Sequence, residues 1–285
     1  MAETGIPPQW TRLGMVVGGG DLPLEIATAL AASRPFIVKL KGFVTHDFAE
    51  FDNVELSIGQ IGGSIKALKA AGCDALCFAG YVKRPDLKDL KMDATGMLVV
   101  PRALAAGRQG DDAILRVFIA EYERAGLPVI GANDVLKSLA PEAGVYTRLA
   151  PDESQGADIA KALLTARHMG ELDIGQGAVV ANGVILAVEA QEGTNAMLER
   201  VLTLNPQIRG TPEARLGVLA KAPKPIQERR IDLPTIGMET VERCNRAGLA
   251  GIALEAGAAL IVNRPAVIAA LDAAGMFLFV DEAVS

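Results

Sequence analysis

LGMVVGGGDLPLEIATALAA, Leu13 to Ala32, is the stretch whose reading decides the fold. Leu13–Val17 is a short continuous apolar run, Gly18-Gly19-Gly20-Asp21 interrupts it, and Pro23–Ala32 has helical spacing. This pattern predicts a strand, a glycine turn and a helix. The alternation continues outward, with strands expected at Phe36–Leu40, Val54–Ile58, Asp74–Ala79 and Leu127–Ile130 and helices at Ile61–Ala71 and Asp112–Ala125. Strands alternating with helices imply a mostly parallel, Rossmann-like α/β sheet. Around Ala132–Val145 the pattern loosens, with Pro141, Gly144 and no clear period. A domain boundary and hinge are therefore expected at 132–145, between an N-terminal domain, 1–134, and a C-terminal one, 146–285.

The second half is also α/β. Helices are expected at Glu153–Met169, Thr194–Leu204, Met238–Ala247 and Arg264–Ala274. Gly177–Ala181 and Val184–Ala190 read as a hairpin turning at Asn182-Gly183, a sequence suited to the positive φ angles of a tight hairpin turn. Further strands are expected at Arg215–Leu219, Gly251–Leu254, Ala258–Val262 and Met276–Val280.

Composition narrows the function. The chain has 285 residues, 50% of them hydrophobic, and a mean hydropathy of +0.28, enough for a large core. Glu255 and Asp272 interrupt its longest apolar segments before they reach the roughly 18–20 residues that span a bilayer. The first ten residues lack the basic start and apolar stretch of a signal peptide, so a cytoplasmic protein is expected. A net charge of −6 with 4% aromatics argues against nucleic acid as a partner. Three cysteines, Cys73, Cys77 and Cys244, read as reduced core residues. With only His46 and His168, a histidine-rich zinc centre is excluded. A metal, if used, would be held by carboxylates and phosphates, which points to magnesium or manganese.

Several motifs carry chemistry. Lys221–Asp232, KAPKPIQERRID, has six charged residues in twelve, stiffened by Pro223 and Pro225. It reads either as a solvated loop or as a site for a highly charged ligand. Gly18, Gly19 and Gly20 would present backbone N–H groups to phosphate oxygens, although Pro23 stands where a dinucleotide fingerprint has its third glycine and Asp21 would cap the helix. Lys83 and Arg84 follow a strand and would emerge at the ligand edge of the sheet, or form an ordinary basic loop. Asp111 or Asp112 is expected as an N-cap. Glu189 leaves an apolar strand just before the cap Thr194, and a carboxylate buried there needs a partner such as Arg200 or Arg230.

GGGDLP, IGGSIKALKAAGCDALCFAGYVKRPDL, RQGDDAILR, NGVILAVEAQEGTNAML and KPIQERRIDLPTIG, in this order from Leu13 to about Val280, resemble the LpxI-type UDP-2,3-diacylglucosamine pyrophosphatases of bacterial lipid A synthesis. The resemblance implies two domains that close around the substrate and magnesium-dependent hydrolysis to UMP and 2,3-diacylglucosamine 1-phosphate. It places the nucleotide on the N-terminal half near Gly18–Asp21 and Lys83-Arg84, and the acyl chains on the C-terminal half. Asp232 would hold magnesium (manganese serving as a substitute), with Glu228 as second ligand or water-orienting group. Arg230, Arg229 or Lys224 would offset phosphate charge, and Gln227, Glu189 and Thr194 complete the expected substrate contacts. Two positions depart from the family pattern, Glu228 and Asn195, where the family more often has Asp. The resemblance further implies a cytoplasmic enzyme in transient peripheral contact with the inner membrane, and leaves room for a homodimer. The readings from other classes are a dinucleotide-dependent oxidoreductase, against which Lys39 and Lys41 stand where an acidic ribose ligand belongs, and a non-catalytic carrier of UDP-sugars or acylated sugars.

Overall fold

In the computed structural model, which describes residues 10–82, 90–225, 228 and 230–282, the run Leu13–Val17 forms strand β1 and is buried along its whole length. The chain divides between Lys137 and Ser138 into two units. In the first, β1 is followed by α1 (Leu22–Ala29), β2 (Phe36–Leu40), β3 (Asn53–Leu56), α2 (Ile61–Ala70), β4 (Ala75–Ala79), α3 (Ala94–Ala106), α4 (Asp111–Arg124) and α5 (Ala132–Val135). Its four strands lie parallel in the order β3-β2-β1-β4. Strand order therefore reverses between β1 and β4, the switch point at which doubly wound sheets open a crevice at their carboxyl ends.

Two features differ from expectation. The segment Leu127–Ile130 makes only a bridge, Val129 to Leu76, because Pro128 has no N–H to extend a ladder. Helix α3, which has no counterpart among the expected elements, carries Pro101 inside it. Asp93 anchors its start: Oδ1 accepts from the Gly96 amide at 2.8 Å and Oδ2 from the Gly63 amide at 2.7 Å, tying α3 to α2. Gly96 is obligatory there, since a Cβ would stand 1.8 Å from the Gly59 carbonyl oxygen.

The second unit contains β5 (Gly144–Val145), α6 (Glu153–Glu171), β6 (Gly177–Ala181), β7 (Val184–Val188), α7 (Gly193–Leu202), α8 (Pro206–Arg209), β8 (Gly210–Thr211), β9 (Ala214–Arg215), β10 (Val218–Lys221), β11 (Thr235–Ile236), α9 (Met238–Ala247), β12 (Gly251–Glu255), β13 (Leu260–Ile261), α10 (Arg264–Ala274) and β14 (Phe277–Asp281). Its main sheet has the order β5-β14-β12-β10-β6-β7. β14, β12 and β10 are mutually parallel and β6 runs antiparallel between β10 and β7. The hairpin turns at Asn182 (φ 49°) and Gly183 (φ 74°) as the Asn-Gly pair predicts. Period-two alternation divides the core. Val179, Leu219, Ile252, Leu254 and Leu278 pack with α7, α9 and α10, whereas Ala178, Val180, Val218, Ala220 and Ala253 pack with α6.

The stretch 132–145 holds short pieces: α5, a 3-10 turn at Lys137–Leu139 and β5, which pairs with β14. Elements of two to four residues leave no hydrophobic period to read. A strand expected at Arg215–Leu219 is split by Gly217 (φ 73°), so that β10 starts at Val218 and runs on to Lys221. That shift of two residues makes a lysine the buried last residue of a central strand. Among the described residues no helix is long and apolar enough to cross a membrane.

Candidate active site

The glycine turn sits at the β1/β4 switch point, but its amides are already engaged. Gly18 donates to the Ala79 carbonyl at 2.9 Å, Gly19 to the Tyr81 carbonyl at 2.9 Å and Gly20 to Thr45 Oγ1 at 3.0 Å. This corrects the expectation that these N–H groups cradle phosphate. The glycines serve close approach instead, since a Cβ on Gly18 would lie 2.3 Å from the Tyr81 carbonyl oxygen and one on Gly19 would strike the Tyr81 ring. Asp21 is likewise not a side-chain cap for α1; its carboxylate meets His46 Nε2 at 2.7 Å. Gly110, not Asp111 or Asp112, occupies the N-cap of α4, and Asp112 pairs with Arg116 four residues on. Acidic residues in a first turn suit the positive end of a helix without capping it. Lys83 and Arg84 lie outside the described residues.

In the second unit the strand directions bring several expected residues to one place. β7, β10, β12 and β14 all end at the same edge of the sheet, so Glu189, Lys221, Glu255 and Asp281 gather there, and the charged segment leaves from it. Glu189 is 6% exposed and Lys221 4%. The Lys221 ammonium donates to Thr194 Oγ1 at 2.9 Å and to the Thr235 carbonyl at 3.3 Å, which brings the expected Thr194 into this group. Oε2 of Glu189 has no hydrogen-bond partner. A buried polar atom left in this state costs about 1–3 kcal/mol, and more when charged. Neither expected partner reaches it: Arg200 donates to the Val188 carbonyl and to Glu192, and Arg230 pairs with Glu228. Glu192 is held below the usual carboxylate range by a hydrogen bond from its own backbone amide and, next, by Arg200. On the opposite face of the edge Arg167 pairs with Glu255 at 3.2 Å.

The described charged side chains of the segment are paired. Lys224 pairs with Asp173 at 2.8 Å and lies against Gly170 of α6. Arg230 grips Glu228 bidentately, Nε to Oε1 at 2.8 Å and a terminal nitrogen to Oε2 at 3.0 Å. The amides of Ile231 and Asp232 both donate to the Glu228 carbonyl, so Asp232 closes a turn. Gln227 and Arg229 lie outside the described residues. Asp232 and Glu228 are thus one turn apart, a set of one or two carboxylates of the kind that holds magnesium together with substrate phosphates. Among the described residues no group of three or more histidine, cysteine or acidic side chains is placed to hold a metal. The cysteines are free and buried; burial pushes the Cys73 thiol up to about 11, Cys77 up to about 12 and Cys244 higher still, with the Lys221 charge opposing the last.

Lys221 is the residue that sequence reasoning passed over. Its signal was the one that marked Glu189, a charge closing an apolar strand, but it was counted with the charge run instead of with Val218–Ala220. Asp173, the partner of Lys224, gave no signal, because its position depends on a left-handed backbone (φ 54°) at the end of α6.

An N-terminal parallel sheet with a switch point, and a second α/β unit with acidic and basic side chains at the carboxyl edge of its sheet, define a two-unit α/β protein. Residues 12–139 match the family model described as the LpxI N-terminal domain and residues 142–279 that described as the LpxI C-terminal domain. A protein of Caulobacter vibrioides described as UDP-2,3-diacylglucosamine pyrophosphatase LpxI is 51% identical over 269 residues, covering 94% of this chain and 96% of that one. The chain belongs to the LpxI family.

Proposed function

We propose that this protein hydrolyses the diphosphate of UDP-2,3-diacylglucosamine, giving UMP and 2,3-diacylglucosamine 1-phosphate, a step in lipid A synthesis. The observation that carries the reading is the 51% identity to a pyrophosphatase of that name, which extends over 94% of the chain and leaves neither unit outside the match. The N-terminal unit takes the nucleotide, a role that the reversal of strand order between β1 and β4 supports, and the C-terminal unit takes the acylated sugar. Arg230, already oriented by Glu228, offsets charge on the departing phosphate, for which the planar guanidinium is suited. Incubation with the substrate tests the proposal against the carrier alternative. An enzyme releases many equivalents of UMP per chain, whereas a carrier returns the substrate unchanged.

Asp232, assisted by Glu228, is the proposed magnesium site. Magnesium supplies Lewis acidity at phosphorus and a lowered pKa for the attacking water when bound. The donor set fits in its chemistry, carboxylate oxygens that magnesium takes together with substrate phosphates, and the turn closed by the Asp232 amide on the Glu228 carbonyl holds the two residues together. Persistent excess EDTA is expected to stop turnover, and added magnesium or manganese to restore it. Undiminished turnover in EDTA would exclude the metal site.

Contact with the inner-membrane surface is the remaining part of the reading. Met97, Leu98 and Leu104 stand 59%, 71% and 47% exposed on α3 with Arg102 among them, an apolar face with a basic charge that suits an anionic lipid surface. Vesicles containing anionic lipid are expected to carry the protein on flotation, and the double substitution Met97→Ser, Leu98→Ser to reduce the bound fraction several-fold. Equal flotation of both proteins would contradict the contact.

A further inference from the structure

Two strands of the second unit end in a charge that alternation directs into the protein. VILAV of β7 is followed by Glu189, and VLA of β10 by Lys221. Between them runs β6, whose Gly177 is directly opposite Lys221 and accepts a hydrogen bond from the Glu189 amide at 2.8 Å. Opposed residues on neighbouring strands leave the sheet on the same face. Gly177 contributes no side chain, and the space its Cβ would fill lies 2.5 Å from Glu189 Oε2. The carboxylate is therefore drawn over the strand on the Lys221 side.

The two groups do not satisfy each other. No ion pair joins them, Glu189 Oε2 is without a hydrogen bond, and the Lys221 ammonium uses two of its three donors on Thr194 and Thr235. The site thus offers one strong acceptor and one cationic donor, both more than nine-tenths buried. A phosphate does not fit the acceptor, having no proton to give at neutral pH and a charge the carboxylate repels. A hydroxyl-bearing ring fits both, because one hydroxyl donates to the carboxylate while a neighbouring oxygen accepts from the ammonium.

We propose that Glu189 and Lys221 form the subsite for the sugar ring, Glu189 accepting from a free ring hydroxyl and Lys221 donating to an adjacent ring oxygen. The assignment rests on the substrate proposed above. That substrate is acylated at positions 2 and 3 and carries the diphosphate at position 1, so the glucosamine hydroxyls at C4 and C6 alone remain to be recognised. The ribose of the nucleotide offers hydroxyls of the same chemistry, and the test separates the two.

The test measures kcat/KM for the parent substrate and for its 4-deoxy and 6-deoxy analogues, with the unsubstituted protein and with Glu189→Ala and Lys221→Met. A site that hydrogen-bonds a hydroxyl rejects the analogue lacking it by about 100-fold or more. One deoxy analogue should therefore be hydrolysed at least about 100-fold less well by the unsubstituted protein. Glu189→Ala should lose a similar factor on the parent substrate and show no further loss with that analogue. Inhibition by UMP should be unchanged in both variants; its loss would move the subsite to the ribose and overturn the assignment. Indifference of the active, unsubstituted protein to both deoxygenations would also overturn it, whether or not the variants fold. Absence of any hydrolysis of the parent substrate would instead overturn the reading on which it rests.

Discussion

Asp232→Ala is expected to lower kcat by about 1,000-fold or more, on the order of 4 kcal/mol of transition-state stabilisation, while the protein stays folded and still binds substrate. Asp232 ends the turn that begins at Glu228, its amide fixed by the Glu228 carbonyl, and the chain then continues through Leu233 and Pro234 into β11. Its backbone is thus held on both sides. A short side chain on a fixed backbone loses little freedom on binding an ion, whereas Glu228 adds a methylene and the freedom that goes with it. Glu228→Ala is expected to be the next most severe, since it also releases Arg230, and Asp111→Ala milder still. Near-normal kcat in Asp232→Ala would overturn the ranking. Asp232→Asn keeps the shape and provides the same test should the alanine variant not fold.

Gly175→Ala is expected to destabilise the second unit by about 3 kcal/mol and to impair activity as well. A Cβ at this position would stand 2.0 Å from the Glu189 carbonyl oxygen and 2.6 Å from its carbonyl carbon. Those are backbone atoms, and the adjacent bond from the Glu189 amide to the Gly177 carbonyl ties them to the sheet. The clash is relieved only by moving the start of β6 away from the end of β7, which carries Glu189 out of place. The control is Gly156→Ala, in α6, where nothing lies within 4 Å of the new methyl group. That change should be neutral or gain up to about 1 kcal/mol through helix propensity. A shared unfolding midpoint for the two variants would contradict the packing account.

The fold was legible where hydrophobic period and turn chemistry agreed. Leu13–Val17, the Asn182-Gly183 hairpin, Met238–Ala247 and Arg264–Ala274 all appear where the pattern placed them. Helix α3 was hidden because Val99, Val100 and Pro101 oppose helix locally and are overruled by the Asp93 cap and by packing of Val99, Val100 and Ala103. The site was legible in part. Glu189 could be singled out as a charge following an apolar strand, whereas Thr194 is not the cap expected of it: Glu192 holds the N-cap of α7, and Thr194 lies inside the helix with its hydroxyl accepting from Lys221. The pairing of Arg230 with Glu228 and of Lys224 with Asp173 depends on turns that no spacing rule specifies. The glycine turn misled in an instructive way. Gly18 and Gly19 are glycines because two loops touch, and a sequence does not distinguish a backbone that approaches phosphate from one that approaches Tyr81.

The central claim, water attacking a phosphorus of the diphosphate, is tested most directly by turnover in oxygen-18 water with mass analysis of both products. The account predicts UMP and 2,3-diacylglucosamine 1-phosphate in equal amounts, with one heavy oxygen per turnover in the phosphate of one of them. UDP accompanied by a free sugar that carries the label at its anomeric carbon would contradict it, placing the cleavage at carbon rather than at phosphorus.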